Sequence, residues 1–338
     1  MIIRKQAHPR AALVGNPSDG YFGKTIAFTF TNFQAEVVLY ETPKLEIRPS
    51  ERDHSKFDSI AGLVEDVHLF GYYGGVRLLK AAVKRFFDYA RRNDIELHKR
   101  NFTVHYHSSI PHLVGLAGSS AIITAGMRAL MEFYEVTIPN PELAGMVLAV
   151  ETEELNISAG LQDRVAQAYE GLVYMDFDRD RMEHEGRGRY ESLDPDLLPR
   201  LYIAFRADLS QCSEIVHNDL RFRFDRGDED VREAMLFWAQ LTDRVRDALA
   251  AGRFDDLGGL LDANYDRRAT LYDVGDGNRE LVATARATGA SAKFTGSGGA
   301  IIGTYADDSM YTELEKRFRP KGVRVIRPAI GKPGGEQT

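Results

Sequence analysis

Residues 111–121 read PHLVGLAGSSA and decide more about the fold than any other stretch of this sequence. They lie between FTVHY at 102–106, which is rich in β-branched and aromatic residues, and an apolar segment at 121–135 with helical periodicity. Glycine lets a backbone approach a ligand closely, and the first N–H groups of a helix have no partner within it. This strand, glycine loop and helix therefore suit an anion, above all phosphate. A serine-capped helix after a flexible loop explains the same residues.

Two better-known glycine motifs do not fit. A phosphate loop of the type glycine, four residues, glycine, lysine, serine or threonine would end at Gly23, Lys24 and Thr25, but Ser18 stands where its first glycine is required. The dinucleotide-binding fingerprint separates its first two glycines by one residue, whereas GLAG separates them by two. A Rossmann-type dehydrogenase is therefore disfavoured. Two further turns, GNPSD at 15–19 and KFTGSGGA at 293–300, suggest a ligand shared by several glycine-bearing turns.

Composition excludes several classes of protein. The chain has 338 residues, with 50 acidic against 43 basic side chains and a formal charge of −7, so nucleic acid is not an expected partner. The single Cys212 cannot form an intrachain disulfide or a zinc site of several thiolates, which predicts a reducing, cytoplasmic location. No apolar run suits a signal peptide or a membrane span, so we expect neither export nor membrane insertion.

Hydrophobic periodicity gives strands and helices in both halves of the chain, without regular alternation. This mixture favours α+β domains rather than a doubly wound parallel sheet. The polar, proline-containing segment at 178–200 predicts a domain boundary, with domains at 1–185 and 186–338. Strands are predicted at 11–14, 26–30, 35–40, 102–106, 171–177 and 201–205, helices at 75–92, 121–135, 142–155, 161–169, 228–250 and 253–269, and a strand, glycine loop and strand at 290–305.

Several long strings make the sequence resemble the GHMP kinases, and among them the plant-type glucuronokinases. The strings are PHLVGLAGSSA, LVGNPSDGYFGKTI, SAGLQDRVAQAYEGLVYMDF and SAKFTGSGGAII. The resemblance implies two domains, the N-terminal one like domain 2 of ribosomal protein S5 and the C-terminal one ferredoxin-like. It also implies ATP- and Mg²⁺-dependent phosphorylation of the anomeric hydroxyl of D-glucuronate. Another acceptor (galacturonate, a neutral hexose or a heptose phosphate) and a non-catalytic sugar- and ATP-binding regulator stay open. The oligomeric state is not predicted.

The resemblance also implies site residues. Asp163 would be the base or orient the acceptor hydroxyl, with Arg10 and Arg164 as cationic partners, although Asp163 also suits a helix N-terminus. Arg10 replaces a lysine found in many members, so that lysine's role is in doubt here. ATP would be bound by two glycine loops, through Gly115, Leu116, Ala117, Gly118, Ser119, Ser120, Gly296, Ser297 and Gly298.

The remaining implied residues concern the metal and the sugar. Mg²⁺ takes hard oxygen ligands, for which Ser120 and Glu151 are the candidates; Glu154 is the alternative, and ETEEL also reads as an exposed acidic helix end. Asn16 and Asp19 would contact the sugar together with Asp163 and Arg164, and the residues at 16–17 differ from the galactokinase pattern, which makes galactose less expected. A uronate carboxylate needs a cation, and the candidates are Arg10, Arg164 and Arg77.

Overall fold

The computed structural model describes residues 1–50, 53, 59–60, 64, 74–206 and 220–331, so Cys212 lies outside the described residues. The strands of this part of the chain are β1 (Ile2–Ala7), β2 (Arg10–Val14), β3 (Lys24–Thr29), β4 (Ala35–Thr42), β5 (Glu46–Ile47), β6 (Asn101–Ser108), β7 (Leu172–Asp176), β8 (Arg189–Leu193), β9 (Leu201–Phe205), β10 (Lys293–Phe294), β11 (Ala300–Thr304) and β12 (Arg324–Ile326).

The α-helices that lie wholly within the described residues are α1 (Gly75–Arg92), α2 (Gly118–Tyr134), α3 (Asn140–Ala149), α4 (Gln162–Tyr169), α5 (Arg179–Glu185), α6 (Glu229–Ala250), α7 (Phe254–Leu271), α8 (Asp276–Arg286) and α9 (Asp308–Phe318). A π-helical turn, Val150–Glu154, continues α3, and short 3₁₀ helices occupy Ser18–Tyr21, Pro195–Leu197 and Arg319–Lys321. None of the described helices combines the length and apolar character needed to cross a bilayer.

The chain divides into two compact units, each made of separate segments. The first unit comprises Met1–His8, Phe33–Ser109 and Ser119–Ala159. It contains the sheet β1-β4-β6-β5, which is antiparallel except between β5 and β6, together with α1, α2 and α3. Its core includes an edge-to-face contact between Phe102 on β6 and Phe133 on α2, whose ring centroids are 5.2 Å apart.

The second unit comprises Pro9–Asn32, Ile110–Gly118 and Gly160–Thr338. It contains two antiparallel four-stranded sheets, ordered β2-β3-β7-β8 and β10-β11-β9-β12. Trp238 on α6 is fully buried, and its indole N–H donates to the Asn264 carbonyl on α7 at 3.1 Å. The sheets confirm the prediction of α+β architecture rather than a doubly wound parallel sheet.

The predicted boundary at residues 185 and 186 does not coincide with a division between the compact units. The segment at 178–200 forms α5 and β8, and β8 pairs with β7 from Leu172↔Leu193 to Asp176↔Arg189. The strand β8 lies at the sheet edge, and none of its residues is buried. An edge strand that buries little apolar surface carries the polar composition of a linker, which explains the difference.

Candidate active site

A buried arginine organises the candidate site in the second unit. Arg10 begins β2, and its Nε donates to Asp163 Oδ1 at 2.7 Å while its Nη2 donates to the same oxygen. Its Nη1 donates to the carbonyls of Thr295, at 2.6 Å, and Gly115, at 3.1 Å. Arg164 Nη1 lies 3.2 Å from the other oxygen, Asp163 Oδ2. One guanidinium thereby connects the predicted catalytic carboxylate to both glycine loops.

The positive charges of Arg10 and Arg164 keep the Asp163 carboxyl ionised. Burial raises the pKa of Asp163, but the charges of Arg10 and Arg164 and hydrogen bonds from Arg10 and Gln162 outweigh it and lower the pKa below its usual value. Asp163 lies in the first turn of α4, as the periodicity at 161–169 predicts. Its side chain pairs with Arg10 across 153 residues of sequence, so its contacts extend well beyond its own helix.

A second carboxylate, Asp19, faces Asp163. Burial and the charge of Asp163 raise the pKa of Asp19 from 3.8 to about 6, although Arg10 opposes the shift. The backbone N–H of Gln162 donates to Asp19 Oδ2 at 3.4 Å, and a Cβ added at Gly160 would collide with that oxygen. Gly160 is therefore needed for the close approach between the Ser18–Tyr21 turn and the start of α4.

The two glycine loops pack against each other within the second unit. A Cβ at Gly296 would lie 2.5 Å from the Gly115 carbonyl oxygen, and a Cβ at Gly115 would lie 2.9 Å from the Gly298 carbonyl oxygen. Gly115 has φ of 70°, in the left-handed region. The Gln167 amide on α4 donates to the Ala117 carbonyl at 2.9 Å. The helix that carries Asp163 therefore also holds the loop at 115–117.

Two residues that sequence analysis missed, Lys293 and Arg268, support these loops. Lys293 is fully buried, and its Nζ donates to the Ala12 carbonyl at 2.8 Å and to Asn16 Oδ1 at 2.5 Å. Asn16 Nδ2 in turn approaches the Gly296 carbonyl at 3.3 Å. Burial, with the charges of Arg268 and Arg10, lowers the pKa of Lys293 well below its usual value. The sequence feature that could have pointed to this buried lysine is that Lys293 is the only charged residue in the run ASAKF, whose other residues are small or apolar.

Arg268 is the second missed cation. It is buried on α7, its Nη1 donates to the Gly296 carbonyl at 2.9 Å, and its Nε donates to the Tyr272 hydroxyl. It therefore positions the late glycine loop. Its signal was weak, because a single arginine in the charged string DANYDRRATL has no distinguishing spacing.

The candidate metal residues lie in the first unit. Ser119, at the start of α2, donates its hydroxyl to Glu151 Oε1 at 2.7 Å, and the Glu151 side chain is buried. Glu153 pairs with Arg85 at 2.5 Å, and Glu154 pairs with Lys84 at 2.8 Å, both on the surface of α1. The three acids lie on one π-helical turn but point to different partners, and of the three only Glu151 hydrogen-bonds to a described residue of the loop at 115–121.

The predicted site residues therefore fall into two groups. Within the second unit the structure brings together residues of the acceptor and late-loop predictions, namely Arg10, Asn16, Asp19, Gly115, Asp163, Arg164, Gly296 and Gly298. Within the first unit it brings together Ser119 and Glu151, and Ser120, the residue after Ser119, is fully buried. Arg77, the third arginine considered for a carboxylate, belongs to the first unit, on α1.

Comparisons with known proteins identify the family. The model of the GHMP kinases N-terminal domain matches residues 77–171. Probable glucuronokinase 2 of Arabidopsis thaliana is 42% identical over 335 residues, which cover 97% of this chain and 91% of that protein. Glucuronokinase 1 of the same plant is 41% identical over 306 residues, covering 89% and 84%. The chain belongs to the GHMP kinase family.

Solved structures of GHMP kinases share its fold. The galactokinase of Lactococcus lactis, solved with galactose, superposes with a TM-score of 0.76 at 16% identity, covering 98% of this chain and 94% of that one. The mevalonate kinase of L. major, solved with R-mevalonate, gives 0.68 at 17% identity. Such distant identities support the fold alone. The family uses ATP, and a GHMP kinase must hold a triphosphate close to an acceptor hydroxyl.

Proposed function

We propose that this GHMP kinase transfers the γ-phosphoryl group of ATP to the anomeric hydroxyl of D-glucuronate, giving glucuronate 1-phosphate and ADP. Relatives named glucuronokinase, at 41–42% identity over most of the chain, support the acceptor. The observation that carries the proposal is the Arg10 guanidinium, which binds the Asp163 carboxylate and the Gly115 carbonyl of the early glycine loop together. A carboxylate for the acceptor is thereby fixed relative to a loop suited to phosphate.

On the acceptor side, Asp163 orients the hydroxyl and takes its proton. The hydroxyl oxygen forms a bond to the γ-phosphorus while the bond from that phosphorus to the bridging oxygen breaks, and ADP leaves. The transition state of phosphoryl transfer is loose in most analyses, so positioning contributes more than base strength. The lowered pKa of Asp163 therefore suits an orienting carboxylate, and Arg10 and Arg164 keep it ionised. Asp19 accepts a hydrogen bond from another sugar hydroxyl.

The early loop is suited to phosphate by its exposure and by the helix that follows it. Gly115, Ala117, Gly118 and Ser119 are partly exposed, so side chains do not seal the loop. The helix α2 begins at Gly118, and the N–H groups of its first turn have no carbonyl partner within the helix. Those groups and the partial positive charge of the helix N-terminus favour a polyphosphate.

Mg²⁺ fits the donors that Glu151 and the loop serines present. A buried carboxylate and a hydroxyl in mutual contact at 2.7 Å are hard oxygen groups, and Mg²⁺ is usually held by one or two carboxylates, waters and substrate phosphates. We propose Glu151 with Ser120, as the family pattern implies, and add Ser119 because of its contact with Glu151. When bound, the ion offsets negative charge on the transferring phosphoryl group.

The proposal places the protein in the cytoplasm, acting on a sugar acid and ATP without nucleic acid, because of its single cysteine and acidic charge. The test is a panel of acceptors with ATP and Mg²⁺: D-glucuronate, D-galacturonate, D-glucose, D-galactose and a heptose phosphate. Phosphorus NMR of the product distinguishes an anomeric phosphate from a phosphate on a primary alcohol. We expect glucuronate 1-phosphate, and an enzyme that phosphorylates no uronate would refute the proposal.

A further inference from the structure

The proposed acceptor poses an electrostatic problem that the arginines around Asp163 do not solve. A uronate carries a carboxylate into a site that already holds Asp19 and Asp163. Arg10 donates through all three of its nitrogens to Asp163, Thr295 and Gly115. Arg164 pairs with Asp163 and donates to the Gly160 carbonyl at 2.8 Å. Both guanidinium groups are paired with the Asp163 carboxylate, so the substrate carboxylate requires a further cation.

The side chain of Arg221 packs against the Ser18–Tyr21 turn, which carries Asp19. Its Nη2 donates to the Gly20 carbonyl at 2.5 Å, and its guanidinium carbon stands 4.5 Å from the centre of the Tyr21 ring. Tyr21 is buried, packs edge-to-face on Phe224 with ring centroids 5.1 Å apart, and interacts electrostatically with both Asp19 and Arg221. A hydrogen bond and an aromatic platform therefore fix the direction of this guanidinium beside the sugar-facing turn.

Arg221 can donate further hydrogen bonds to a ligand. A guanidinium has five N–H donors, and within the described part of the chain the nearest acidic oxygen belongs to Asp225, 4.0 Å from Nη1. The side chain is 48% exposed, so a ligand can reach it. Arg268, the other arginine near this end of the site, is buried and holds the Gly296 carbonyl and the Tyr272 hydroxyl instead.

We infer that Arg221 binds the carboxylate of the acceptor and thereby selects a uronate over a neutral hexose. The inference rests on the proposed function. With the anomeric hydroxyl at Asp163 and a ring hydroxyl at Asp19, the carboxylate is attached to C5, across the ring oxygen from the anomeric carbon, and projects away from the hydroxyl that Asp163 orients. The Ser18–Tyr21 turn carries Asp19 at one position and holds Arg221 through its next two residues. The planar fork of arginine matches a carboxylate in two parallel hydrogen bonds.

The test compares Arg221→Met and Arg221→Lys with wild type, and with Arg226→Met as the matched control. Arg226 follows on the same segment and lies over the exposed ring of Phe222, at 5.1 Å. The readouts are KM and kcat for D-glucuronate and the inhibition constant of D-glucuronamide, which keeps the shape of the acceptor without its charge. Unfolding midpoints of all variants are recorded alongside.

For Arg221→Met we expect the KM for D-glucuronate to rise about 10- to 100-fold, which is the range of a lost charge-assisted hydrogen bond. The kcat changes much less, and the inhibition constant of D-glucuronamide changes less than about threefold, because no charge is involved. Arg221→Lys keeps the charge without the fork, so its KM falls between those of wild type and Arg221→Met. Arg226→Met matches wild type.

Two results would overturn the inference while the proposed function stands: an active Arg221→Met enzyme with a wild-type KM, or one that binds glucuronate and glucuronamide more weakly by the same factor. A wild type that phosphorylates no uronate overturns the proposed function and the inference together. If Arg221→Met does not fold, the salt dependence of the wild-type enzyme is measured instead. We then expect added salt to raise the KM for glucuronate more than the inhibition constant of glucuronamide. Equal salt responses refute the role of Arg221.

Discussion

Replacing Asp19 with Asn should stabilise the folded protein at neutral pH while weakening sugar binding. The pKa of Asp19 is about 6 in the folded protein against 3.8 for the ordinary side chain. The folded state therefore binds this proton more tightly than the unfolded chain does. By linkage, wild-type stability falls as the pH rises from about 3.8 to about 6 and then stays low. Asn does not titrate, so it escapes this loss.

The magnitude follows from the shift. A difference of about 2 pKa units corresponds to about 3 kcal/mol above pH 6, as an upper bound. Asp19 is partly exposed, and solvent screening reduces the expected gain to about 1–2 kcal/mol at pH 7.5. At pH 4.5 the gain should fall to about a third of that value, because the wild-type carboxyl is then protonated in the folded state. The Asn side chain retains a carbonyl oxygen for the Gln162 N–H.

Urea unfolding of wild type and Asp19→Asn at pH 7.5 and 4.5 measures both the sign and the pH dependence. Asp247→Asn is the matched control, because that carboxylate is 69% exposed on α6 and should change stability by less than about 0.5 kcal/mol at either pH. Asp19→Asn should also raise the KM for D-glucuronate by about tenfold. If Asp19→Asn destabilises the protein, or changes its stability equally at the two pH values, the reasoning about the raised pKa of Asp19 is wrong.

Asp163→Asn should lower kcat by about 10²–10⁴-fold with little change in the KM for ATP, and steady-state kinetics with a wild-type rate would contradict its role. Gly115→Ala should raise the KM for ATP and lower stability by about 1–3 kcal/mol, because φ is 70° and the new Cβ lies 2.9 Å from a carbonyl oxygen. Gly259→Ala on α7 is its control, since a Cβ at that position meets nothing within 4 Å and lies outside the glycine loops, so it should leave the KM for ATP unchanged. Glu151→Gln should raise the Mg²⁺ concentration for half-maximal rate by about tenfold or more, whereas the surface-paired Glu153→Gln should not; equal responses to Mg²⁺ titration would remove Glu151 from the metal site.

Much of the fold could be predicted because its central elements are apolar where they are buried, α1 along one face and β9 at every position. The helix predicted at 75–92 has those bounds in the structure, and the strand predicted at 201–205 is β9. Strands at a sheet edge could not be predicted in this way, because they bury little apolar surface. β8 has no buried residue, so its sequence gives no alternation to read. The end of α3 was predicted as regular helix to 155, whereas a π-helical turn begins at Val150, and hydrophobic spacing does not register that change.

The site could be predicted only where a motif is continuous in sequence. The loops at 115–121 and 293–300 stand out by their glycine residues, and Asp163 was expected only from the family likeness. Lys293 and Arg268 do not, because their roles depend on carbonyl groups far away in the sequence, such as that of Ala12. Buried cations that hydrogen-bond to backbone carbonyls leave no local pattern. Their partners become known only when the chain is folded.

The resemblance implies a lysine in many GHMP kinases where this chain has Arg10, and the contacts of Arg10 are ones that a lysine could not make. Nε and Nη2 serve Asp163 while Nη1 serves two carbonyls, of Gly115 and Thr295, in different loops. A lysine ammonium is a compact point charge on a flexible stem and cannot span partners in such a fixed plane. Because one rigid group holds the acid and both loops, a displacement of either loop displaces Asp163. If Asp163 orients the acceptor hydroxyl as proposed, the alignment needed for phosphoryl transfer depends on this single buried side chain.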